Sequence, residues 1–173
     1  MMRFRRARPG QRGFTLIEMI LSLALTAFIG LGVSVAIAQV TRQTARNSNY
    51  TSATQQAMNA VHWLGEDIQM AQTVTGTDGF PASDNLVMSW TWWDNTEYSI
   101  TYSLTGGVLR RVYDDGSSSH DTVVAEYVED DQELTFCTSD NDTYGISITI
   151  GIGSGPSAVE VTRTRDVAAR PHL

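Results

Sequence analysis

Apolar positions along the chain follow three successive rhythms. From Met19 to Ala38 twenty residues pass without a charge, MILSLALTAFIGLGVSVAIA. At ~1.5 Å of rise per helical residue that run matches the ~30 Å hydrocarbon core of a bilayer. Further on, apolar residues recur at spacings of three and four. Tyr50, Ala53, Ala57, Val61, Leu64, Ile68 and Ala71 form one stripe, with Gln55, Gln56, Asn59, Glu66 and Gln69 on the wet side. Together the two stretches predict one helix over about residues 14–72, apolar in its first half and amphipathic in its second. Gly30, Gly32 and Gly65 are the weak points of this unbroken helix, where it could bend or melt locally. The segment 73–81, with Gly76, Gly79 and Pro81, ends it.

From Leu86 the period falls to two. Strands are expected over 86–93, 98–104, 108–113, 122–128, 133–137, 144–152 and 158–165, the cleanest alternation being Ile146, Ile148, Ile150 and Ile152. Thr105-Gly106-Gly107 supplies a turn that joins the second and third into a hairpin. The connectors 114–121, 129–132 and 139–143 are acidic and polar, as surface loops are. A long helix followed only by strands is an α+β arrangement.

Charge adds a direction. Arg3, Arg5, Arg6, Arg8 and Arg12 are five of the twelve basic residues, and no acid lies among them. By the positive-inside rule, residues 1–13 stay in the cytoplasm and the C-terminal part goes out. Without those thirteen residues, seven arginines face nineteen acids, a formal charge of −12. Such a surface repels phosphate backbones and makes direct nucleic-acid binding an unfavourable reading. At 173 residues, 42% of them hydrophobic, the chain suits one cored domain. Cys137 is the sole cysteine, so an intrachain disulfide and a thiolate metal site are ruled out, and a small buried residue is expected there.

One acid stands at the edge of the apolar run. Glu18 follows Phe14-Thr15-Leu16-Ile17, and a carboxylate inside a membrane costs about 2.5 kcal/mol or more unless it is paired. A cut between Gly13 and Phe14 would create a positive amine. In an array of identical helices, Glu18 of one chain would then meet the Phe14 amine of its neighbour, neutralising both and setting the axial stagger.

Gly13-Phe-Thr-Leu-Ile-Glu18, after an arginine-rich leader and before an apolar helix, resembles the class III signal of type IV pilins and type II secretion pseudopilins. The resemblance implies a membrane peptidase that cuts after Gly13 and N-methylates Phe14, with Glu18 as the registration acid. It implies a pilin-like fold, in which the helix lies across an antiparallel β-sheet head. The organisation is then a leader 1–13, a transmembrane helix 14–38, an amphipathic continuation 39–72 and a β-rich head 73–173. Trp63-Leu-Gly-Glu-Asp-Ile68 and the hairpin from Tyr98 to Arg111 are similar to J-type minor pseudopilins and PilW-like minor pilins, although that family usually has arginine where Glu66 stands. Two plainer readings compete. A secretory signal peptide would use Ala36-Ile37-Ala38 as its cleavage site, but its apolar region spans only about 7–15 residues. A simple single-pass anchor leaves Gly13 and Glu18 together unexplained.

The expectation is therefore a minor pilin or pseudopilin. It would be held in the inner membrane by a single pass and then built into an extracytoplasmic filament, near its tip. Its partners would be other pilin-like subunits, the prepilin peptidase and methyltransferase, an inner-membrane assembly platform and, before assembly, membrane lipid. The alternative is a filament-head binding module that grips an exported protein, a surface or DNA. Arg110-Arg111 would serve DNA only if isolated from acids.

Little catalytic chemistry is visible. His62, His120 and His172 have neither zinc-ligand spacing nor an HExxH setting, and no nucleophile elbow or phosphate-binding glycine loop appears. An enzyme and a resident cofactor are not expected. Asp140-Asn141-Asp142 gathers hard oxygens in one loop, and calcium is the ion it would take, although a solvated acidic loop is the simpler reading. Trp90, Trp92 and Trp93 crowd one segment. On a strand Trp90 and Trp92 share a face and Trp93 opposes them, giving core packing or an interface anchored by an exposed indole.

Overall fold

The computed structural model describes residues 14–140 and 143–169. Gly13 with the leader arginines, Asn141, Asp142 and His172 lie outside them. The chain divides into two compact units, Met1–Thr41 and Arg42–Leu173. Helix α1, Leu16–Met70, contributes residues to both.

In the first unit α1 continues through Gly30 and Gly32, so neither glycine interrupts it. Its side chains are exposed from Leu16 to Val40. The hydroxyls within this apolar stretch turn back onto the helix. Ser22 donates to the Met19 carbonyl at 2.9 Å, Thr26 to Ser22 at 2.8 Å and Ser34 to Gly30 at 2.9 Å. A hydroxyl satisfied by its own helix needs no water, which suits a lipid surrounding.

The second unit packs the rest of α1 against two antiparallel sheets. One has five strands in the order β1 (Thr73–Thr75), β2 (Leu86–Thr91), β3 (Glu97–Thr105), β4 (Val108–Asp114) and β5 (Ser119–Ala125). The other has β6 (Phe136–Asp140), β7 (Thr143–Ile152) and β8 (Val159–Ala168). The helix supplies Ala53, Ala57, Ala60, Val61, Leu64 and Ile68 to the core. The larger sheet adds Leu86, Met88, Ile100, Tyr102 and Leu109, and the smaller adds Cys137, Ile146, Ile148 and Ile150. The small residues at 53, 57 and 60 are fully buried there. Fully buried Leu64 and Ile68 each contribute about 1.5–3 kcal/mol. Residues 127–129 join the two sheets: Val128 N–H donates to Gly107, Glu129 N–H to Thr149, and Tyr127 accepts from Gly151.

The α+β arrangement is as expected, with corrections in detail. Tyr50, assigned to the buried stripe, is 52% exposed, and packing begins one turn later at Ala53. Gly65 is helical rather than a bend. A Cβ there would stand 2.6 Å from the Arg165 guanidinium, so β8's arginine passes over the position. The helix-ending segment contains the short β1, paired Thr73 to Ser89. The predicted hairpin forms with Thr105 opposite Val108, Gly106 and Gly107 both holding positive φ as a type I′ turn requires. The strand expected over 133–137 starts at Phe136. Leu134 and Thr135 instead donate their N–H groups to the Asp131 carbonyl in a turn, while the Leu134 carbonyl accepts the Ser147 and Thr149 hydroxyls. β5 begins earlier than expected, taking Ser119 and His120 from the presumed loop, and leaves Val128 in an isolated bridge to Ile150.

Candidate functional site

At the start of α1, Phe14 is 84% exposed and Thr15 caps the helix. The Thr15 Oγ1 accepts the Glu18 N–H at 3.3 Å. The Glu18 carboxylate accepts the Thr15 N–H and hydroxyl, each at 3.0 Å. This reciprocal pair is a capping box, which satisfies helix donors that have no partner within the helix. Thr15-Leu-Ile-Glu18 carries its T-x-x-E signature openly. Reading Glu18 only as a charge in search of a cation missed this second role.

A second constellation lies inside the head. Asp67 is 1% exposed on the buried face of α1. Its carboxylate accepts two bonds from Arg111 of β4, Nε at 2.7 Å and Nη2 at 3.0 Å, and a third from the Tyr102 hydroxyl of β3 at 2.5 Å. The bidentate fork fixes both the distance and the angle of contact between helix and sheet. Burial, and then the adjacent Asp67 charge, push the Tyr102 hydroxyl well above the usual tyrosine range. The bonds to Asp67 raise Arg111 in turn. The guanidinium also lies 5.1 Å from the Trp63 ring and 5.7 Å from the Tyr113 ring, so it is ion-paired and stacked at once. Sequence reading noted Asp67 only within the Trp63–Ile68 resemblance and gave it no role, because its partners lie 35 and 44 residues further along the chain.

The tryptophans separate. Trp90, in β2, stacks on its cross-strand neighbour Tyr98 at 5.6 Å, and both rings lie 6.3 Å from Tyr113. β2 ends at Thr91, so Trp92 and Trp93 do not alternate on a strand as expected. They sit at the turn into β3, 53% and 86% exposed. The Asn95 N–H donates to Trp92 and the Trp92 N–H to Thr96, which breaks the extended run. Trp92, Trp90, Tyr98, Tyr113 and Met70 line an apolar groove of about 330 Å³.

The remaining candidates disperse. His62 is exposed on α1, 3.9 Å from Glu66, and His120 is exposed in β5. Arg110 pairs with Asp121 at 2.6 Å and Arg111 with Asp67, so the two arginines are not isolated from acids. Cys137 is buried, as expected, and burial pushes its thiol up to about 12. Asp140 closes β6, opposite Thr143, while Asn141 and Asp142 lie outside the described residues. Among the described residues no three His, Cys, Asp or Glu side chains gather as a metal site would require.

Residues 8–34 match the family model for the prokaryotic N-terminal methylation motif. Motif, long helix and β-sheet head together fit a type IV pilin-like protein. For a pilin-like chain the motif supports a precursor processed at its N-terminus, and implies a prepilin peptidase and assembly with other pilin subunits. Proteins with this motif are typically structural subunits rather than enzymes. The apolar first part of α1, long enough to cross a bilayer, suggests a single-pass anchor in the inner membrane. No curated protein and no solved structure matches the chain.

Proposed function

We propose that the chain is a minor pilin or pseudopilin, cut after Gly13, N-methylated on Phe14 and assembled through α1 near the tip of a filament. The methylation motif over residues 8–34 is the observation that carries this reading. The capped, fully exposed apolar segment beginning at Phe14 supports it, because the cut would fall immediately before the capping box. Glu18 then has two states. In the single subunit its carboxylate is held by Thr15, and in the filament it turns to the Phe14 amine of a neighbour. The acidic, tryptophan-bearing head favours a minor subunit that selects its neighbours, most like the J-type and PilW-like members. The second reading, a head that grips an exported partner, draws support from the apolar groove at Trp90 and Trp92.

The test is the intact mass and N-terminal sequence of the protein taken from membranes of its native host. A chain beginning with methylated Phe14 is expected. A chain beginning at Gln39 would mean a secreted protein and an intact Met1 a plain anchor, and either overturns the proposal. In the processed protein, Glu18→Ala is expected to remain in the membrane and fail to enter filaments.

A further inference from the structure

Arg42 and Arg46 are exposed on α1 and enter no ion pair among the described residues. From Met19 to Gly65 the sequence has no acid at all, although nineteen occur in the whole chain. One helical turn separates the two arginines, so they share a face. They lie two and three turns before Ala53, and their face therefore continues, toward the N-terminus, the one that Ala53 buries in the head. The head offers them no carboxylate there. The segment that meets α1 at Asn49, just beyond Arg46, is the loop 153–158, Gly-Ser-Gly-Pro-Ser-Ala, whose Ser157 carbonyl accepts the Asn49 amide at 2.9 Å. That loop carries no charge.

Depth decides what such a pair meets. Arg42 follows the apolar run by one turn, ~6 Å beyond Ala38. With the run spanning the hydrocarbon core, the headgroup layer beyond it is about 5–7 Å deep. Helical side chains tilt toward the N-terminus, so both guanidiniums lean back toward the hydrocarbon edge. Arg42 then places its charge among lipid phosphates, and Arg46 at their outer surface. The positive-inside rule disfavours arginine on this side of the run. A cut after Gly13 would leave Arg42 and Arg46 as the only arginines that flank it.

We propose that Arg42 and Arg46 form a binding site for the phosphate of an anionic phospholipid, in the leaflet at the Ala38 end of the apolar run. Two forked guanidiniums, one turn apart, donate to the phosphodiester oxygens from neighbouring positions. Charge complementarity selects this occupant. A zwitterionic headgroup brings its own ammonium, which offsets part of the attraction, whereas phosphatidylglycerol has none. The contact fixes how deep the helix sits, and it lies at the head end of the run, so withdrawal in that direction carries neither arginine through the core. The site rests on the reading of the run as a membrane anchor and does not depend on the cut at Gly13.

The test places a bimane fluorophore on Gln39→Cys of the full chain in phosphatidylcholine nanodiscs, Cys137 being buried and left unlabelled. A small share of the lipid is then replaced by phosphatidylglycerol, or by phosphatidylcholine, carrying a nitroxide quencher high on one acyl chain. The leader arginines precede the run and the probe follows it, so lipid held by the leader does not register. Phosphatidylglycerol is expected to be enriched at the probe at least about fivefold over phosphatidylcholine, and rising salt to reduce the enrichment. Arg42→Gln with Arg46→Gln should bring it below about twofold, with the near-ultraviolet spectrum of the head unchanged, and the corresponding lysine pair should keep most of it. Equal quenching by the two lipids in the unmodified sequence overturns the proposal alone, as does an enrichment that the glutamine pair leaves intact. Equal quenching together with loss of filament entry by the glutamine pair would instead assign the arginines to carboxylates of a neighbouring subunit. Quenching by neither lipid would mean that the run does not enter the bilayer, which overturns the anchor and the site with it.

Discussion

Replacing Asp67 by alanine removes the acceptor of three hydrogen bonds at a position 1% exposed. Two costs follow. Arg111, whose side chain is 15% exposed, keeps a positive charge with its carboxylate gone, and the buried Tyr102 hydroxyl loses its acceptor. Breaking one partner of a buried pair costs about 3–5 kcal/mol, and an orphaned buried hydroxyl about 1–3 more where no water reaches it. A domain of this size holds about 5–15 kcal/mol in total, so Asp67→Ala consumes a large share. With a urea slope of about 2 kcal/mol per molar, the unfolding midpoint should fall by roughly 2–4 M. The assay is urea unfolding of the detergent-solubilised chain, followed by tryptophan emission. Asp67→Asn keeps the shape but loses the charge and is expected to cost less, about 1.5–3 kcal/mol. Asp67→Leu with Arg111→Met removes both charges together and should cost less than the two single changes summed, because neither is left alone. A loss below about 1 kcal/mol for Asp67→Ala would refute the claim that this pair fixes helix to sheet.

Other consequences are open to simpler measurements. Burial raises the Cys137 thiol from its ordinary value of 9.0 to about 12 and lifts the Tyr102 hydroxyl as well. Between those pH values the unfolded chain binds fewer protons than the folded one, so stability is full below pH 9.0 and falls as pH rises, by ~1.4 kcal/mol per pH unit for each such group. Urea midpoints measured at pH 8 and pH 10.5 should show the decline, and Cys137→Ala should remove part of it. Gly76 and Gly65 should respond differently to alanine, the first with a clear loss and the second with little net change. At Gly76, with φ of +84°, a Cβ would stand 2.1 Å from the Asn85 carbonyl oxygen, and the cost should reach about 2–4 kcal/mol in a melting or urea experiment. At Gly65 only the mobile end of Arg165 is in the way, and a helix-propensity gain of about 1 kcal/mol offsets its displacement.

The parts legible in the sequence are those in which one short stretch carries its own explanation. A twenty-residue uncharged run announces the apolar helix, and Ala53 to Ala71 at spacings of three and four announce the packed face. The Gly106-Gly107 turn and the isoleucine alternation of β7 are equally local. Asp67 was opaque because a polar residue on an apolar face has meaning only through Arg111 and Tyr102, which adjoining strands bring to it. The boundaries of β2 and β6 slipped for a related reason. Trp92 and Leu134 favour a strand by composition, yet hydrogen bonds within turns withdraw their segments from the ladder. The aromatic groove was half visible: the tryptophan cluster was plain, but Met70, Tyr98 and Tyr113 come from three other segments.

The hydroxyls of Ser22, Thr26 and Ser34, each closed onto a carbonyl of its own helix, give the apolar segment an indifference to its neighbours. Nothing on it asks for a particular acceptor. Acyl chains and the flanks of other helices are then nearly equivalent surroundings, since lipid tails are about as apolar as leucine. Passage from one to the other breaks no polar contact along the segment, and the work of extraction gathers at its ends: the Thr15–Glu18 cap on one side, the onset of charge at Arg42 on the other. A machine that draws such a helix out of a bilayer has two short regions to contend with rather than twenty residues, and the helix remains equally free to return.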